Sequence, residues 1–197
     1  STTVWEVRTT GDATNGGGFN ASRTSAGTDY SQQDTAQLAL TDLASTSASS
    51  WLTLTSATGG FTAKMIGNII YIASGTNFTP GYYEITAYTD TNTVTVDRAC
   101  GATGDATSGA GKVGGAVNHP YRIAPNMSSG NKMYIKSGTY YPIDSNAFVL
   151  QTNVVGDTGG RSTEYIGYDT SRTVIPIGEN RPILDATIAG EPDTYAT

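Results

Sequence analysis

Four β-rich runs decide the fold of this chain: WLTLT (51–55), NIIYIA (68–73), YYEITAY (82–88) and TVTVD (93–97). They are rich in β-branched and aromatic residues, as strands are, and turn-forming Gly, Pro, Asn and Asp residues separate them. The runs predict a compact antiparallel β module over residues 51–98, built as a small sandwich or barrel. Its core is expected to bring four side chains to one side: Ile85, Ala87, Val94 and Val96.

The residues before this module, 1–50, predict a strand at VWEVR (4–8), a Gly-rich turn after it, and one short amphipathic helix over residues 31–43. Ser31 is a suitable N-cap for that helix, and Asp34 follows three residues later as in a capping box. Apolar residues then recur at helical spacing on one face. They are Ala36, Ala39, Leu40 and Leu43.

The residues after the module predict a flexible linker followed by a solenoid. Residues 99–115 are rich in Gly, Ala, Ser and Thr and nearly devoid of apolar side chains, which favours a linker. In residues 116–197, short β bursts end in Gly, Asp or Pro: NKMYIKSGTYYP (131–142), STEYIGYDTSRTVI (162–175) and RPILDA (181–186). We interpret them as the start of a β-helix. Because one coil cannot bury its inner face alone, more chain or a partner is expected to complete it.

Several strings together resemble proteins of tailed bacteriophages and uncultured viruses of the pectate-lyase-like, right-handed parallel β-helix type. They are VWEVRTTG (4–11), NGGGFN (15–20), GTDYSQQD (27–34), TSATGGFTAKMIGNIIYI (55–72), TVTVDR (93–98) and YIKSGTYY (134–141). The resemblance implies a virion structural protein: a tailspike, a fibre, or a decoration of the capsid or neck. It also implies a small N-terminal attachment module, a β-helical shaft that is often trimeric, and a host-surface glycan as a possible ligand.

The composition argues against several classes of function. A net charge of −6 disfavours attraction to nucleic acid or to an anionic membrane surface. No apolar run approaches the ~20 residues of a membrane span. Cys100 and His119 are the only residues of their types, which excludes an intrachain disulfide and any zinc site built from several Cys or His ligands. We therefore predict no metal and no cofactor.

The acidic residues and tyrosines of this chain are candidates for either a catalytic or binding role or a structural one. A polysaccharide-cleaving β-helix needs paired carboxylates or a carboxylate-bound cation. Most acidic residues of the solenoid region stand beside Gly or Thr in expected turns and no pair recurs at a fixed offset, so we predict that they are solvated turn or strand-edge residues. They are Asp144, Asp157, Glu164, Asp169, Glu179 and Asp185. The tyrosines of this chain suit either sugar stacking or packing, and we favour packing in the core and at interfaces. The pairs and single residues concerned are Tyr82–Tyr83, Tyr140–Tyr141, Tyr165 and Tyr168.

These observations lead us to predict a non-enzymatic virion structural protein that forms a homo-oligomer, possibly a trimer. It is also expected to bind other virion proteins. The open end of the solenoid and the apolar face of the predicted helix are the expected interfaces. The interface residues we predict are Leu40, Leu43, Ile135, Ile166 and Ile183. Two alternatives stay open: the N-terminal portion of a polysaccharide-degrading β-helix enzyme, and a self-assembling extracellular fibre or surface-layer subunit.

Overall fold

The structure, a computed structural model, describes residues 2–142 and 163–185 and is mainly β. The strands in chain order are β1 (Val4–Val7), β2 (Gly18–Phe19), β3 (Leu38–Ser45), β4 (Thr53–Ser56), β5 (Ile69–Thr76), β6 (Gly81–Asp90), β7 (Thr93–Val96), β8 (Ala106–Val113), β9 (Lys132–Lys136), β10 (Gly138–Tyr140), β11 (Glu164–Tyr168) and β12 (Pro182–Leu184). The helix α1 is Pro120–Ile123. Short 3₁₀ turns occupy Tyr30–Gln32, Ser47–Ser49, Ala63–Met65, Ala124–Asn126 and Gly178–Asn180.

Six antiparallel strands close into a barrel in the order β3-β4-β7-β6-β5-β8, with β8 returning to β3. The four predicted strands are confirmed as β4 to β7, and the sandwich-or-barrel alternative is resolved as a barrel. Buried aliphatic and aromatic side chains fill its interior. Closure leaves no unpaired edge, so the barrel needs no partner to satisfy its strands.

The helix predicted over residues 31–43 is wrong. Its first residues form the 3₁₀ turn Tyr30–Gln32, capped by the Asp29 side chain, and its last six belong to β3. Leu40 and Leu43 are both buried because the register of β3 against β8 shifts between them. This β-bulge produces, within a strand, the three-residue spacing that resembles a helical stripe.

The flexible linker predicted over residues 99–115 is also wrong, because residues 106–113 form β8. That strand pairs with both β3 and β5. Its glycines are required by packing: a Cβ on Gly109 would lie 2.6 Å from a ring carbon of Phe78 and 2.9 Å from Cβ of Leu43. A register shift also corrects the predicted core, since Ala87 lies past a bulge in β6 and is exposed, whereas Ile85 is buried.

Outside the barrel, β11, β9 and β1 lie side by side and parallel, and β2 pairs antiparallel with β1. Val4 stands opposite Lys132, which stands opposite Glu164, so the three parallel strands are in register. A second parallel pair joins β10 to β12. The strand predicted at residues 4–8 is confirmed as β1. The whole barrel is therefore inserted in sequence between two neighbouring strands, β1 and β9.

A second hydrophobic core joins the barrel to the parallel strands. It packs Trp5 and Met133 from the parallel sheet against Ile69 and Tyr82 from the barrel, with α1 contributing Ile123. The parallel strands do not amount to a parallel β-helix within residues 2–142 and 163–185. Over the same residues, no helix is long and apolar enough to cross a membrane.

Candidate functional site

A groove with a volume of about 500 Å³ lies where α1 meets the barrel. Tyr71 of β5 and Tyr82 of β6 form one wall, with ring centroids 4.6 Å apart. Tyr121, Arg122 and Asn126 contribute to the rest of the lining. We call this cavity the tyrosine groove. Its lining combines tyrosine side chains with the polar side chains of Arg122 and Asn126.

The short helix that carries two of these residues is fixed by local sequence. The His119 side chain accepts a hydrogen bond of 3.1 Å from the backbone N–H of Tyr121, and Pro120 occupies the first turn, where its missing N–H costs nothing. Ile123 is buried in the second core. With one side of the helix anchored in this way, Tyr121 and Arg122 line the groove.

The polar groups of the tyrosine groove are mostly not used by the protein itself. Among the described residues, the hydroxyls of Tyr71, Tyr82 and Tyr121 have no hydrogen-bond partner. Tyr82 is only 7% exposed, and this burial raises the pKa of its hydroxyl. The Arg122 guanidinium donates one hydrogen bond from Nε, 3.1 Å to Oδ1 of Asn118, and within the described chain it is paired with no carboxylate.

A second, smaller groove of about 270 Å³ shares Tyr82 and Asn126 with the first. Glu84 and Asp97 line it, but both carboxylates are engaged. Glu84 accepts from Arg23 at 2.6 Å, and Asp97 accepts from the Glu84 backbone N–H at 2.8 Å and from Arg98 at 2.9 Å. These acids therefore act first as structural ties between strands β6 and β7 and the loop after β2.

A buried ionic cluster lies on the face of the parallel sheet opposite the second core. It is formed by Glu6, Arg8, Asp29, Tyr168 and Arg172. Glu6 is fully buried; its carboxylate accepts from Arg8 Nε at 2.9 Å and from Arg172 Nε at 2.8 Å. The Tyr168 hydroxyl also donates to Glu6, and burial together with this hydrogen bond raises the Tyr168 pKa. Arg172 reaches on to Asp29 at 3.1 Å. The cluster thus ties β11 and the loop after it to β1 and to the segment between β2 and β3.

The parallel strands lose burial from one strand to the next. Met133 of β9 is 0% exposed, whereas Tyr165, its partner in β11, is 40% exposed. Tyr140 of β10 is 2% exposed, whereas its partner Leu184 in β12 is 40% exposed. The loop between β11 and β12 adds two isoleucines, Ile175 at 84% and Ile177 at 78%. We call Tyr165 of β11, Leu184 of β12 and the two isoleucines of the loop between these strands the open apolar face.

The predicted interface residues are divided between different environments. Leu40 and Leu43 lie in the barrel core, so their side chains contact their own fold and are not presented to another subunit. Ile135 is buried in the second core. Ile166 pairs with Tyr134 and so lies on the opposite face of the sheet from Ile135. Ile183 is exposed, but it precedes Leu184 in β12 and therefore points to the other side of that strand.

The acidic residues considered for catalysis are scattered in the described chain. Glu164 pairs with Lys132 at 3.1 Å, and Asp169 accepts from Ser137 and Asn180. Glu179 lies in an exposed 3₁₀ turn and Asp185 directly follows β12, while Asp144 and Asp157 lie outside the described residues. No cluster of three or more His, Cys, Asp or Glu suited to a metal occurs in the parts of the chain described.

The other residues examined for chemistry have structural surroundings. Cys100 is buried in the barrel core and its Sγ donates to the Trp51 carbonyl, and burial raises the pKa of the thiol. His119 caps α1. Tyr83 packs in the barrel core, and Tyr82 and Tyr140 pack in the second core, as the packing interpretation expects; Tyr82 also lines the tyrosine groove.

Sequence reasoning missed Tyr71, Tyr121 and Arg122 as site residues. Tyr71 stands in a strand and Tyr121 in a short turn-like segment, about fifty residues apart. No motif spans that separation, and only the packing of α1 on the barrel brings the two residues together. The pairing of Tyr82 with Tyr83 was the one local signal of aromatic surface in this region. Comparison with protein-family models, with curated proteins and with solved structures finds no match.

Proposed function

We propose that this chain is a non-enzymatic structural protein of a bacteriophage particle, the attachment and assembly part of a β-helical tailspike, fibre, or capsid or neck decoration. In this proposal the barrel is the attachment module, and the parallel strands are the first coils of a right-handed parallel β-helix. The chain acts as a homo-oligomer whose copies cover one another's open apolar faces.

The loss of burial between partnered strands is the observation that carries this proposal. Tyr165 and Leu184 occupy the same columns as Met133 and Tyr140, which are buried, yet they are exposed. Fully burying one large apolar side chain stabilises by about 1.5–3 kcal/mol, so covering several of them supplies a sizeable driving force for assembly. Several large apolar side chains exposed on neighbouring elements are typical of interaction sites.

A second copy of the chain is the occupant we propose for this face. The edge strand β11 pairs only with β9 among the described residues, and an unpaired strand edge beside exposed isoleucines favours association with a like element. The rigid tie between barrel and parallel strands, through the second core and the ionic cluster, supports a head held in a fixed orientation on a shaft.

Light scattering coupled to size exclusion, and sedimentation velocity, test the proposal on the purified chain at micromolar concentration. A closed oligomer is expected. The double substitution Ile175→Ser and Ile177→Ser should convert it to monomer, whereas Leu52→Ser, which removes an exposed leucine from the barrel region, should not. A well-folded monomer for the unmodified chain would overturn the assembly proposal, and open polymers would favour the fibre alternative.

The location on a virion needs a separate measurement. Antibodies raised against the chain should label tailed particles at a defined position in electron micrographs. Labelling of extracellular filaments and of no particle would contradict the virion assignment and support the fibre or surface-layer subunit.

A further inference from the structure

We propose that His119 is a pH-dependent switch on the segment that joins the barrel to the parallel strands. This segment, residues 119–127, lies between β8 and β9 and contains α1 and the 3₁₀ turn Ala124–Asn126. We call it the joint. Neutral His119 holds the start of the joint by capping α1. When its imidazole takes up one proton in mild acid, the cap is lost and the joint opens more often.

The capping contact requires one tautomer of the imidazole. Nδ1 of His119 accepts a hydrogen bond of 3.1 Å from the backbone N–H of Tyr121, so this nitrogen carries no proton. A neutral imidazole has one protonated and one unprotonated ring nitrogen, and the proton is therefore on Nε2. The cap exists only while Nδ1 stays unprotonated.

Protonation turns this contact from favourable to unfavourable. With a proton on Nδ1, the ring presents a donor to the Tyr121 N–H, which is itself a donor, and the N-cap hydrogen bond is lost. The new positive charge is also repelled by the Arg122 guanidinium. Because α1 is a single turn, Pro120–Ile123, it has few hydrogen bonds of its own to resist the loss of its cap.

The surroundings of the ring set the direction of the pH effect. His119 is 5% exposed, and Tyr140 of β10 meets it edge-on with ring centroids 6.1 Å apart. Burial lowers the pKa of His119 and Arg122 acts in the same direction, whereas the Tyr141 backbone acts in the opposite one. Since the folded pKa lies below the unfolded value of about 6.5, the unfolded chain binds the proton more readily. The stabilisation is therefore complete above about pH 6.5 and is lost as the pH falls through the folded pKa.

The joint transmits this change to the contact between the two parts of the chain. Ile123, Ala124 and Met127 are each at most 2% exposed and belong to the second core, together with Trp5 and Met133 of the parallel sheet. The barrel core is built from other residues. Loosening of the joint should therefore weaken the hold on the parallel strands and leave the barrel folded.

Nuclear magnetic resonance of the ¹⁵N-labelled chain tests the geometry directly. His119 is the only histidine, so its two ring nitrogens can be assigned without ambiguity, and their shifts distinguish the tautomers. At about pH 7.5 the tautomer protonated on Nε2 is expected, with a titration midpoint below about 6.5. A proton on Nδ1 at that pH, or a midpoint at or above 6.5, would overturn the proposal.

Hydrogen exchange measures the opening of the joint. Between about pH 7.5 and 5.5, the protection factor of the Tyr121 amide should fall severalfold after correction for the intrinsic pH dependence of exchange. The fall should not exceed about tenfold per pH unit, because one proton is bound. Amides of the barrel strands β4 and β7 are the internal control and should keep their protection. An equal fall in those strands would indicate general destabilisation by acid and would refute a switch confined to the joint.

Two substitutions at His119 separate the cap from the charge. His119→Asn keeps a side-chain oxygen suited to an N-cap but does not titrate, so the protection of the Tyr121 amide should become independent of pH in this range. His119→Ala removes the cap, and protection should be low at both pH values. A pH dependence in His119→Asn equal to that of the unmodified chain would contradict the role of the imidazole.

The switch is separable from the assembly proposal, because it lies within one chain. The Ile175→Ser and Ile177→Ser double variant alters the open apolar face and should keep the pH dependence of the unmodified chain. Loss of the pH dependence in that variant would mean that the change occurs at a contact between copies, and would overturn a switch contained in one chain.

Discussion

In the barrel every strand has a hydrogen-bonded neighbour on each side, whereas in the parallel sheet β11 has one neighbour among the described residues. The same contrast appears in packing. The barrel interior is closed by its own leucines and isoleucines, and the parallel strands become more exposed toward the open apolar face. The difference teaches that one chain can contain a module that closes on itself and a module that leaves large apolar side chains exposed. Each of the following changes tests one side of this comparison.

The largest expected effect is in the barrel core. Leu43→Ala removes buried atoms where β3, β8 and Phe78 meet, and we expect the free energy of unfolding to fall by about 2–5 kcal/mol. Chemical denaturation measures it. Leu52→Ala is the control, because that side chain is substantially exposed, and a change within about 0.5 kcal/mol is expected. Equal losses for both variants would contradict a closed, fully packed barrel.

The next effect concerns the tie between the two modules. Glu6→Gln leaves Arg8 and Arg172 without their shared carboxylate, and we expect a loss of about 3 kcal/mol, the lower end for breaking a buried ion pair. Hydrogen exchange should accelerate in β11 and leave the barrel strands protected.

The matched control for that substitution is Glu164→Gln in the same sheet. Its ion pair with Lys132 is solvent-exposed, so at most about 1 kcal/mol should be lost. Faster exchange in the barrel than in β11 for Glu6→Gln would refute the view that the cluster serves mainly to hold the parallel strands.

A smaller effect is expected from the glycines of β8. Gly109→Ala places a Cβ against Phe78 and Leu43, so that one or both must shift, at a cost of about 1–3 kcal/mol. Gly81→Ala is the control, because its Cβ would meet Tyr83 at an ordinary contact distance of 3.6 Å. Thermal unfolding compares the two. A neutral Gly109→Ala would show that β8 is packed less tightly than described.

The smallest effect is a pH dependence at an exposed tie from the β1–β2 connection to the barrel. Hydrogen bonds from Thr14, reinforced by Lys112, lower the pKa of Asp12 to about 2. Since the folded pKa lies below the unfolded value of about 3.9, the contribution is present above about pH 4 and is lost as the pH falls through 2. Asp12→Asn should cost only about 0.5 kcal/mol at neutral pH, because the pair is exposed. The difference in the free energy of unfolding between Asp12→Asn and the unmodified chain should vanish toward pH 2. A difference that stays constant with pH would refute the lowered pKa of Asp12.

The sequence predicts the central strands well and their surroundings poorly, for physical reasons. The strands β4 to β7 show their strand pattern within a few consecutive residues and are separated by turn residues. A short-range pattern is therefore enough to predict them. The bulge between Leu40 and Leu43 imitates a helical stripe, and the packing of Gly109 against Phe78 makes a core strand look like a linker. The tyrosine groove is lined by Tyr71 together with residues about fifty positions further along the chain, and no local pattern predicts that arrangement.

The insertion of the barrel between β1 and β9 also sets an order of events during synthesis. Trp5 hydrogen-bonds to Asn131, 126 residues further along the chain. At ordinary translation rates of about 5–20 residues per second, β1 leaves the ribosome about 6–25 s before its parallel neighbour exists. Barrel strands emerge within that interval and can pair with one another. The barrel is therefore expected to be complete before β9 exists, so that the finished barrel holds β1 in the position where β9 later pairs with it.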